Sequence, residues 1–446
     1  MSENKKFDLI IVGGGISGTA MLYALSKYTD LKRVCLLEKY KKFGTVNSSQ
    51  MMNSQTLHFG DIETNYTLAK AATVKQSADM VKNYLETQKL EHPESKLYSK
   101  YSKMVIAVGS KQVKELDARF DTFRTLFPHL KKINREEIGK IEPRVLEGRN
   151  PDQEILALVT EDGYTVDFGA LSRNFVHKAQ AFNPELEIFT ETKLNTIEDL
   201  QTHYKLTTNN GIFEADVVMV CAGGHSILYA KKLGYGKHFA ILSMAGSFYT
   251  CPKVLNGKVY TMQQEKLPFA AIHGDPEVHN ANITRFGPTA KTIYLLERYN
   301  YPTYIEYLKV FGFTPKAIIT LIKIASDWVI MKYLLSNLVY DMPFIGKRSF
   351  LKEVRKIVPN IKLSELTFAK KTGGTRPQIV NNNTRKLEMG EAKIEGRNII
   401  FNITPSPGAS TCLGNAYKDT QTVMDFFKGK YTFDKAAFEK DLIDGA

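Results

Sequence analysis

Phe7-Asp8-Leu9-Ile10-Ile11-Val12 runs directly into Gly13-Gly14-Gly15-Ile16-Ser17-Gly18, and this stretch decides the fold. The first six residues are almost entirely apolar, as a buried central strand of a parallel sheet requires. Gly13, Gly15 and Gly18 supply the GxGxxG spacing. Thr19–Lys27 then reads as a helix, and Val34–Leu37 as a second strand that ends on Glu38. Each part has a mechanical role. Gly13 permits a tight turn, Gly15 admits a pyrophosphate to the backbone, and Gly18 lets the helix pack closely on the strand. The helix N-terminus offers free N–H groups, and Glu38 can accept from ribose hydroxyls. Strand, glycines, helix, strand and acid in this order predict dinucleotide binding, with FAD and NAD both open at this point.

The next segments narrow the choice. Asn53-Ser54-Gln55-Thr56-Leu57-His58-Phe59-Gly60-Asp61 is polar and aperiodic, so it reads as an irregular loop suited to the edge of a flavin ring rather than as the next strand. Asp167 is placed to N-cap an amphipathic helix over Phe168–Ala181. Ala215–Cys221 is a buried strand that ends in the turn Ala222-Gly223-Gly224. Near the C-terminus, Gly373-Gly374-Thr375-Arg376-Pro377 reads as a glycine-rich turn. The segment Asn398–Ile403 and then Ser406-Pro407-Gly408-Ala409-Ser410-Thr411 lead into a helix from about Cys412, whose positive end would point at a flavin.

Together these pieces resemble the D-amino-acid-oxidase-like, glutathione-reductase-type FAD superfamily in its 2-hydroxy-acid branch. The NSxxxHxG pattern at 53–60 is similar to that of L-2-hydroxyglutarate dehydrogenases. Taken with Gly60-Asp61-Ile62-Glu63-Thr64-Asn65-Tyr66-Thr67 and the Ser406–Thr411 segment, it resembles bacterial malate:quinone oxidoreductases more closely, in a short form. The likeness covers both ends and the middle of the chain and is weakest across 290–365. It implies FAD, oxidation of L-malate to oxaloacetate by hydride transfer to flavin N5, and electrons passed to a membrane quinone within the tricarboxylic acid cycle. L-2-hydroxyglutarate oxidation and a non-catalytic membrane-bound flavoprotein are the rival readings.

The chemistry needs a base for the hydroxyl proton and cations for the carboxylates. His58 sits in the loop, as a flavin or substrate contact or as a group that fixes the loop. His273 ends an apolar run, and the resemblance makes it the leading base, with a structural histidine as the alternative. Arg376 is bulky and charged in a glycine-rich segment, and the resemblance points it at a substrate carboxylate. Arg285 is a second carboxylate candidate, or an arginine bound to a backbone carbonyl. His225, His238 and His279 rank lower. The expected cofactor contacts are Gly13, Gly15, Ile16, Ser17, Gly18, Glu38, Lys39, Asn53, Ser54, Gln55, Thr56, Ala222, Gly223, Gly374, Pro407, Gly408, Ala409, Ser410 and Thr411.

A chain of 446 residues with 43% hydrophobic content exceeds one ordinary domain of ~100–200 residues. The fold class expected is α/β with an α+β second domain. A Rossmann-like, glutathione-reductase-type FAD-binding domain takes residues 1–78, 155–232 and 365–446. A substrate and quinone domain, built on an antiparallel sheet plus helices, takes 79–154 and 233–364. Strand-like runs at Lys103–Val108 and Ala240–Tyr249 support that sheet. The four scattered cysteines read as buried thiols in a reducing compartment and suggest no metal site. Residues 1–6 show no signal pattern, and nothing suggests nucleic acid binding.

The net charge of +13 calls for an anionic partner. Residues 301–360 hold nine Lys/Arg against four Asp/Glu. Within them Lys316–Tyr340 reads as one basic amphipathic helix, with Lys316, Thr320, Lys323 and Asp327 on one face. It either packs in the substrate domain or lies in a membrane interface. With the resemblance, the expectation is peripheral attachment on the cytoplasmic side of the inner membrane, with a cytoplasmic protein otherwise.

Overall fold

A computed structural model describes residues 5–263, 271–311, 315–388, 392–403 and 407–445. The expectations on residues 1–4 and on Ser406 lie outside these. Lys5–Val12 forms the centre of an eight-stranded sheet, parallel to Val34–Leu37 on one side and Gly211–Val220 on the other. Glu187–Phe189 and Ile399–Ile403 extend it in parallel, and Ala392–Gly396 closes one edge as a hairpin. Leu9, Ile10 and Ile11 are wholly buried because both faces are covered. Helices Ile16–Tyr28, Phe168–Phe182 and Cys412–Phe426 pack on one face. Helix His225–Lys232 and the meander Leu194–Asp199, Tyr204–Thr208 cover the other. The Asp167 carboxylate accepts from Ala170 N–H and starts the second helix where its sequence says it should.

A second eight-stranded sheet runs in the order Thr367–Phe368, Tyr249–Pro252, Asn280–Gly287, His273–Glu277, Lys258–Thr261, Tyr98–Val108, Ile155–Val166, Lys131–Ile133. It is antiparallel except where Lys258–Thr261 lies beside Tyr98–Val108. A four-stranded sheet joins Lys291–Thr292, Phe239–Ala245, Thr375–Asn381 and Lys386–Leu387.

Three expectations are corrected. The run Ala240–Tyr249 is not one strand: Phe239–Ala245 belongs to the four-stranded sheet and Tyr249–Pro252 to the larger one. The chain changes sheets at Gly246, where an added Cβ would lie 2.6 Å from Pro288 and from the Thr289 carbonyl. Arg376 lies not in a turn but in strand Thr375–Asn381, opposite Met244. Only Gly373 and Gly374 precede the strand, and Gly373 takes φ +79°.

The segment 316–340 is not one helix but two, Pro315–Ala325 and Trp328–Tyr340. Asp327, expected on a helix face, instead N-caps the second helix by accepting from Val329 N–H at 2.9 Å and Ile330 N–H at 3.3 Å, the role aspartate fills best at that position. Ile330, Tyr333 and Leu334 pack against the four-stranded sheet. Ile322, Trp328 and Phe344 stay 64%, 70% and 95% exposed, so this region is only half buried. No described helix is long and apolar enough to cross a membrane.

Candidate active site

The glycine turn after the first strand is built for close approach. Gly13 has φ +110°, and a Cβ there would lie 2.5 Å from the Cys221 carbonyl oxygen. A Cβ on Gly18 would overlap the Gly13 carbonyl oxygen. The N-cap residue of the helix that follows, Gly15, has no side chain to cap it, and the first helical N–H, of Ile16, donates to Ser48 Oγ at 3.0 Å. The positive end of the helix lines the cleft described next. Glu38 accepts from Gly14 N–H at 2.6 Å and Tyr40 N–H at 2.8 Å. Burial pushes its carboxyl up from the ordinary range despite those two donors.

One cleft opens from this turn. Its walls include Gly13, Gly15, Ile16, Ser17, Glu38, Lys39, Asn53, Ser54, Thr56, Ala222, Gly223, Gly374 and Pro407–Ser410, together with His58 and Arg376. Three expected contacts stand back from it. Gly18 packs on the Gly13 carbonyl. Thr411 is the N-cap residue of the last long helix. Gln55, at φ +59°, turns its amide towards Gln50, Glu277 and Val278.

The sequence alone did not reveal several of the walls. Asn53 folds residues 47–53 by donating to the carbonyls of Asn47, Ser48 and Ser49, which puts Asn47, Ser48 and Met52 on the cleft. Glu297, in the loop after strand Lys291–Thr292, accepts from Tyr40 OH at 2.6 Å and pairs with Lys39. Burial opposes its charge, but Lys39 and His225 hold its carboxyl below the usual range. His225 also pairs with Glu306 at 2.8 Å. No periodicity or motif announced Glu297; its signal is a lone acid in an otherwise neutral stretch, Tyr294-Leu295-Leu296-Glu297.

His58 and Glu63 form a dyad across the Gly60 turn. His58 Nδ1 lies 2.6 Å from Glu63 Oε1, while Glu63 Oε2 accepts from Gly60 N–H at 2.9 Å. Burial pushes the Glu63 carboxyl up, but His58 and then Lys103 outweigh it and hold it at about 2. The Arg119 guanidinium secures the segment by donating to the carbonyls of Glu63 and Tyr66 at 2.8 and 3.0 Å. His58 is further fixed by its own N–H, which donates to Ser410 Oγ at 2.9 Å. Among the described residues no group bonds His58 Nε2, and no carboxylate pairs with Arg376. Burial lowers the Arg376 pKa, with the Tyr333 and Tyr66 phenols opposing it.

His273 is placed differently. It is buried within the second sheet, stacked on Tyr260 at 4.4 Å. Its Nε2 lies 3.0 Å from Asp275 Oδ2, out of line for a good hydrogen bond, and its Nδ1 lies 3.3 Å from the Ala271 carbonyl. Arg285 donates to the Asn53 carbonyl at 3.0 Å and lies over the Phe248 ring. His279 pairs with Asp167 at the helix cap, and His238 follows Gly236 at the start of the four-stranded sheet. Neither belongs to the cleft wall. Among the described residues no His/Cys/Asp/Glu group is arranged to hold a metal ion.

The donor set suits FAD. The helix end and its Cβ-free turn would face the pyrophosphate, Glu38 would face the ribose, and the 53–58 loop and the 407–410 turn flank space for a ring system. His58 and Arg376 both line this cleft.

The family model described as malate:quinone oxidoreductase matches residues 5–431. A protein from Campylobacter jejuni, named probable malate:quinone oxidoreductase, is 40% identical over 98% of this chain and 99% of its own length. A malate:quinone oxidoreductase from Helicobacter pylori is 38% identical over 98% of each chain. Among solved structures, an FAD-bound L-alpha-glycerophosphate oxidase from Mycoplasma pneumoniae superposes with a TM-score of 0.65 over 97% of each chain at 18% identity. Glycine oxidase from Geobacillus kaustophilus gives 0.64 over 98% of each at 15% identity. At these identities the structural likenesses establish the fold, which is the one expected.

Proposed function

This chain belongs to the malate:quinone oxidoreductase family, and from that premise we propose which of its residues carry the reaction. The protein is an FAD-dependent enzyme that oxidises malate and passes the electrons to a quinone. We propose His58 as the base and Arg376 as the carboxylate holder. The observation that carries this reading is that, among the described residues, nothing bonds His58 Nε2 and no carboxylate pairs with Arg376, and both side chains line one cleft.

Glu63 accepts the Nδ1 proton, so Nε2 keeps its lone pair for the C2 hydroxyl proton, and the same carboxylate stabilises the imidazolium that forms. Arg376 fixes the C1 carboxylate in bidentate fashion and thereby orients C2. FAD, held by Gly13, Gly15, Ile16, Ser17, Glu38, Lys39 and the 53–56 and 407–410 segments, supplies the hydride acceptor at N5. His273 and Arg285, the other candidates for these two roles by residue type, serve the loop and sheet behind the cleft in this reading. The division into 1–78, 155–232 and 365–446 against 79–154 and 233–364 is likewise our proposal, with paired strands Tyr98–Val108 and Ile155–Val166 at its seam.

For the quinone, we propose peripheral attachment to the cytoplasmic face of the membrane through helices Pro315–Ala325 and Trp328–Tyr340. Their exposed Ile322 and Trp328, the exposed Phe344 beyond them, and the basic surplus of 301–360 support it.

The test replaces Arg376 with Leu. Losing a charge-assisted pair costs ~1.5–3 kcal/mol, so kcat/KM for L-malate should fall at least tenfold while the flavin spectrum persists. Unchanged kcat/KM would remove Arg376 from the site. Bleaching by L-2-hydroxyglutarate and not by malate would reassign the substrate.

A further inference from the structure

A charge buried inside a sheet is costly unless something requires it, and here four stand in a row. Lys103 lies opposite Lys258. The pairing of Val259 with Gly274 sets Lys258 opposite Asp275, and Asp275 faces Arg285. Opposite residues share a face, so the row crosses four adjacent strands on one side of the second sheet. Lys103 and Lys258 are 0% exposed, and Asp275 and Arg285 are buried. The other face carries Met104, Val259 and Phe286 in an apolar cluster. The sheet therefore has an ordinary core on one side and charge on the side towards the cleft.

Each cation of the row grips a different point of one loop. Lys103 Nζ lies 2.8 Å from Asp61 Oδ1, Lys258 Nζ donates to Thr56 Oγ1 at 3.0 Å, and Arg285 donates to the Asn53 carbonyl at 3.0 Å. Asn53 and Thr56 are cleft walls. Lys103 is matched by Asp61 at hydrogen-bond distance, whereas Lys258 stands 3.5 Å from Asp275 Oδ1, whose other oxygen faces His273. The Thr56 hydroxyl also meets Tyr260 OH at 2.9 Å. Lys258 is thus the ammonium one hydroxyl away from the cleft. Burial lowers it to about 8, with Asp275 opposing and Arg285 and Lys103 adding to the effect.

We propose that Lys258 is a positioning residue for malate oxidation: its ammonium, bound to the cleft through the Thr56 hydroxyl, raises the electron affinity of the flavin held there. A positive charge in a low-dielectric wall favours the electron-richer state of whatever it faces. The proposal rests on the reading that the cleft holds FAD. The 53–61 loop, with its three grips, is then both the floor of the cleft and the conductor of the row's charge.

The test is a dye-equilibrated potentiometric titration of the purified holoenzyme at pH 7, which needs no malate. The wild-type flavin spectrum tests the cleft, and the difference between variants tests the lysine. Lys258→Met should make two-electron reduction about tenfold less favourable, a midpoint lower by about 30 mV, and Lys258→Arg should restore most of it. Thr56→Val, which keeps the lysine but strips its partner, should lower the midpoint in the same direction, and Thr56→Ser should not. An unchanged midpoint in Lys258→Met, or in Thr56→Val should the first variant fail to fold, overturns the proposal.

Discussion

Replacing Glu63 with Gln tests the dyad more sharply than deleting His58, because the outcome follows from where the atoms must go. Gly60 N–H donates to one Glu63 oxygen at 2.9 Å, and the other faces His58 Nδ1 at 2.6 Å. A glutamine has one oxygen, and Gly60, a main-chain donor that has no other use for its proton, claims it. The amide nitrogen then faces Nδ1 and donates to it, so the imidazole proton moves to Nε2. The nitrogen that should accept the malate hydroxyl proton loses its lone pair. A base lost to the wrong tautomer costs ~10²–10⁴-fold in rate.

The assay is anaerobic stopped-flow bleaching of the bound flavin by L-malate, with FAD content measured on the same sample. A second readout comes from linkage. Against the pull of burial, His58 holds the Glu63 carboxyl at about 2 in the folded protein, below the ordinary 4.5, and a depressed carboxyl contributes stability. That stability is present above pH 4.5 and is lost as pH falls towards 2, so the acid-unfolding limb should be shallower in Glu63→Gln. A bleaching rate within about threefold of wild type in the FAD-loaded variant would refute the mechanism.

Two other outcomes follow. Glu38→Gln leaves one oxygen for the two amides of Gly14 and Tyr40, an unsatisfied buried donor worth ~1–3 kcal/mol. FAD release followed by fluorescence should therefore show affinity reduced about tenfold or more. Replacing Ile322 and Trp328 together with Ser removes two exposed apolar anchors worth ~1.5–3 kcal/mol each when buried in an interface. Sedimentation with anionic phospholipid vesicles should fall at least tenfold, and undiminished binding would refute membrane docking by this face.

The dinucleotide turn was legible because its physics is local. A strand, a Cβ-free turn and a helix end are fixed by neighbours within thirty residues; strands Lys5–Val12 and Val34–Leu37 stand where the pattern puts them, and the helix begins at Ile16, three residues before the expected Thr19. The errors came where distant contacts decide. Gly246 lies inside an apolar run that looks continuous, and only its packing against Pro288 shows that the chain must change sheets. Asp327 fits a helical stripe by spacing, yet its carboxylate gains more as a cap. Glu297 reaches Lys39 and Tyr40 across more than 250 positions of sequence, and no local pattern encodes such a contact.

The two histidines show what geometry adds to residue type. Each has a carboxylate close by in sequence, Glu63 five residues after His58 and Asp275 two after His273, so each presents the same residue types for general-base catalysis. In a strand, positions two apart share a face. His273 and Asp275 are therefore turned together into the space between sheet and loop, where Tyr260 covers the ring. Residues five apart can meet only if the chain reverses between them. Gly60, at φ +91° with its own amide tied to Glu63, makes that reversal. Glu63 then engages Nδ1, and among the described residues nothing bonds Nε2. A non-glycine residue at 60 would be strained in that conformation, and its Cβ would press on Ala71 at 2.9 Å. The reversal sets the histidine's orientation, so Gly60 bears on the proposed base through the His58–Glu63 pair.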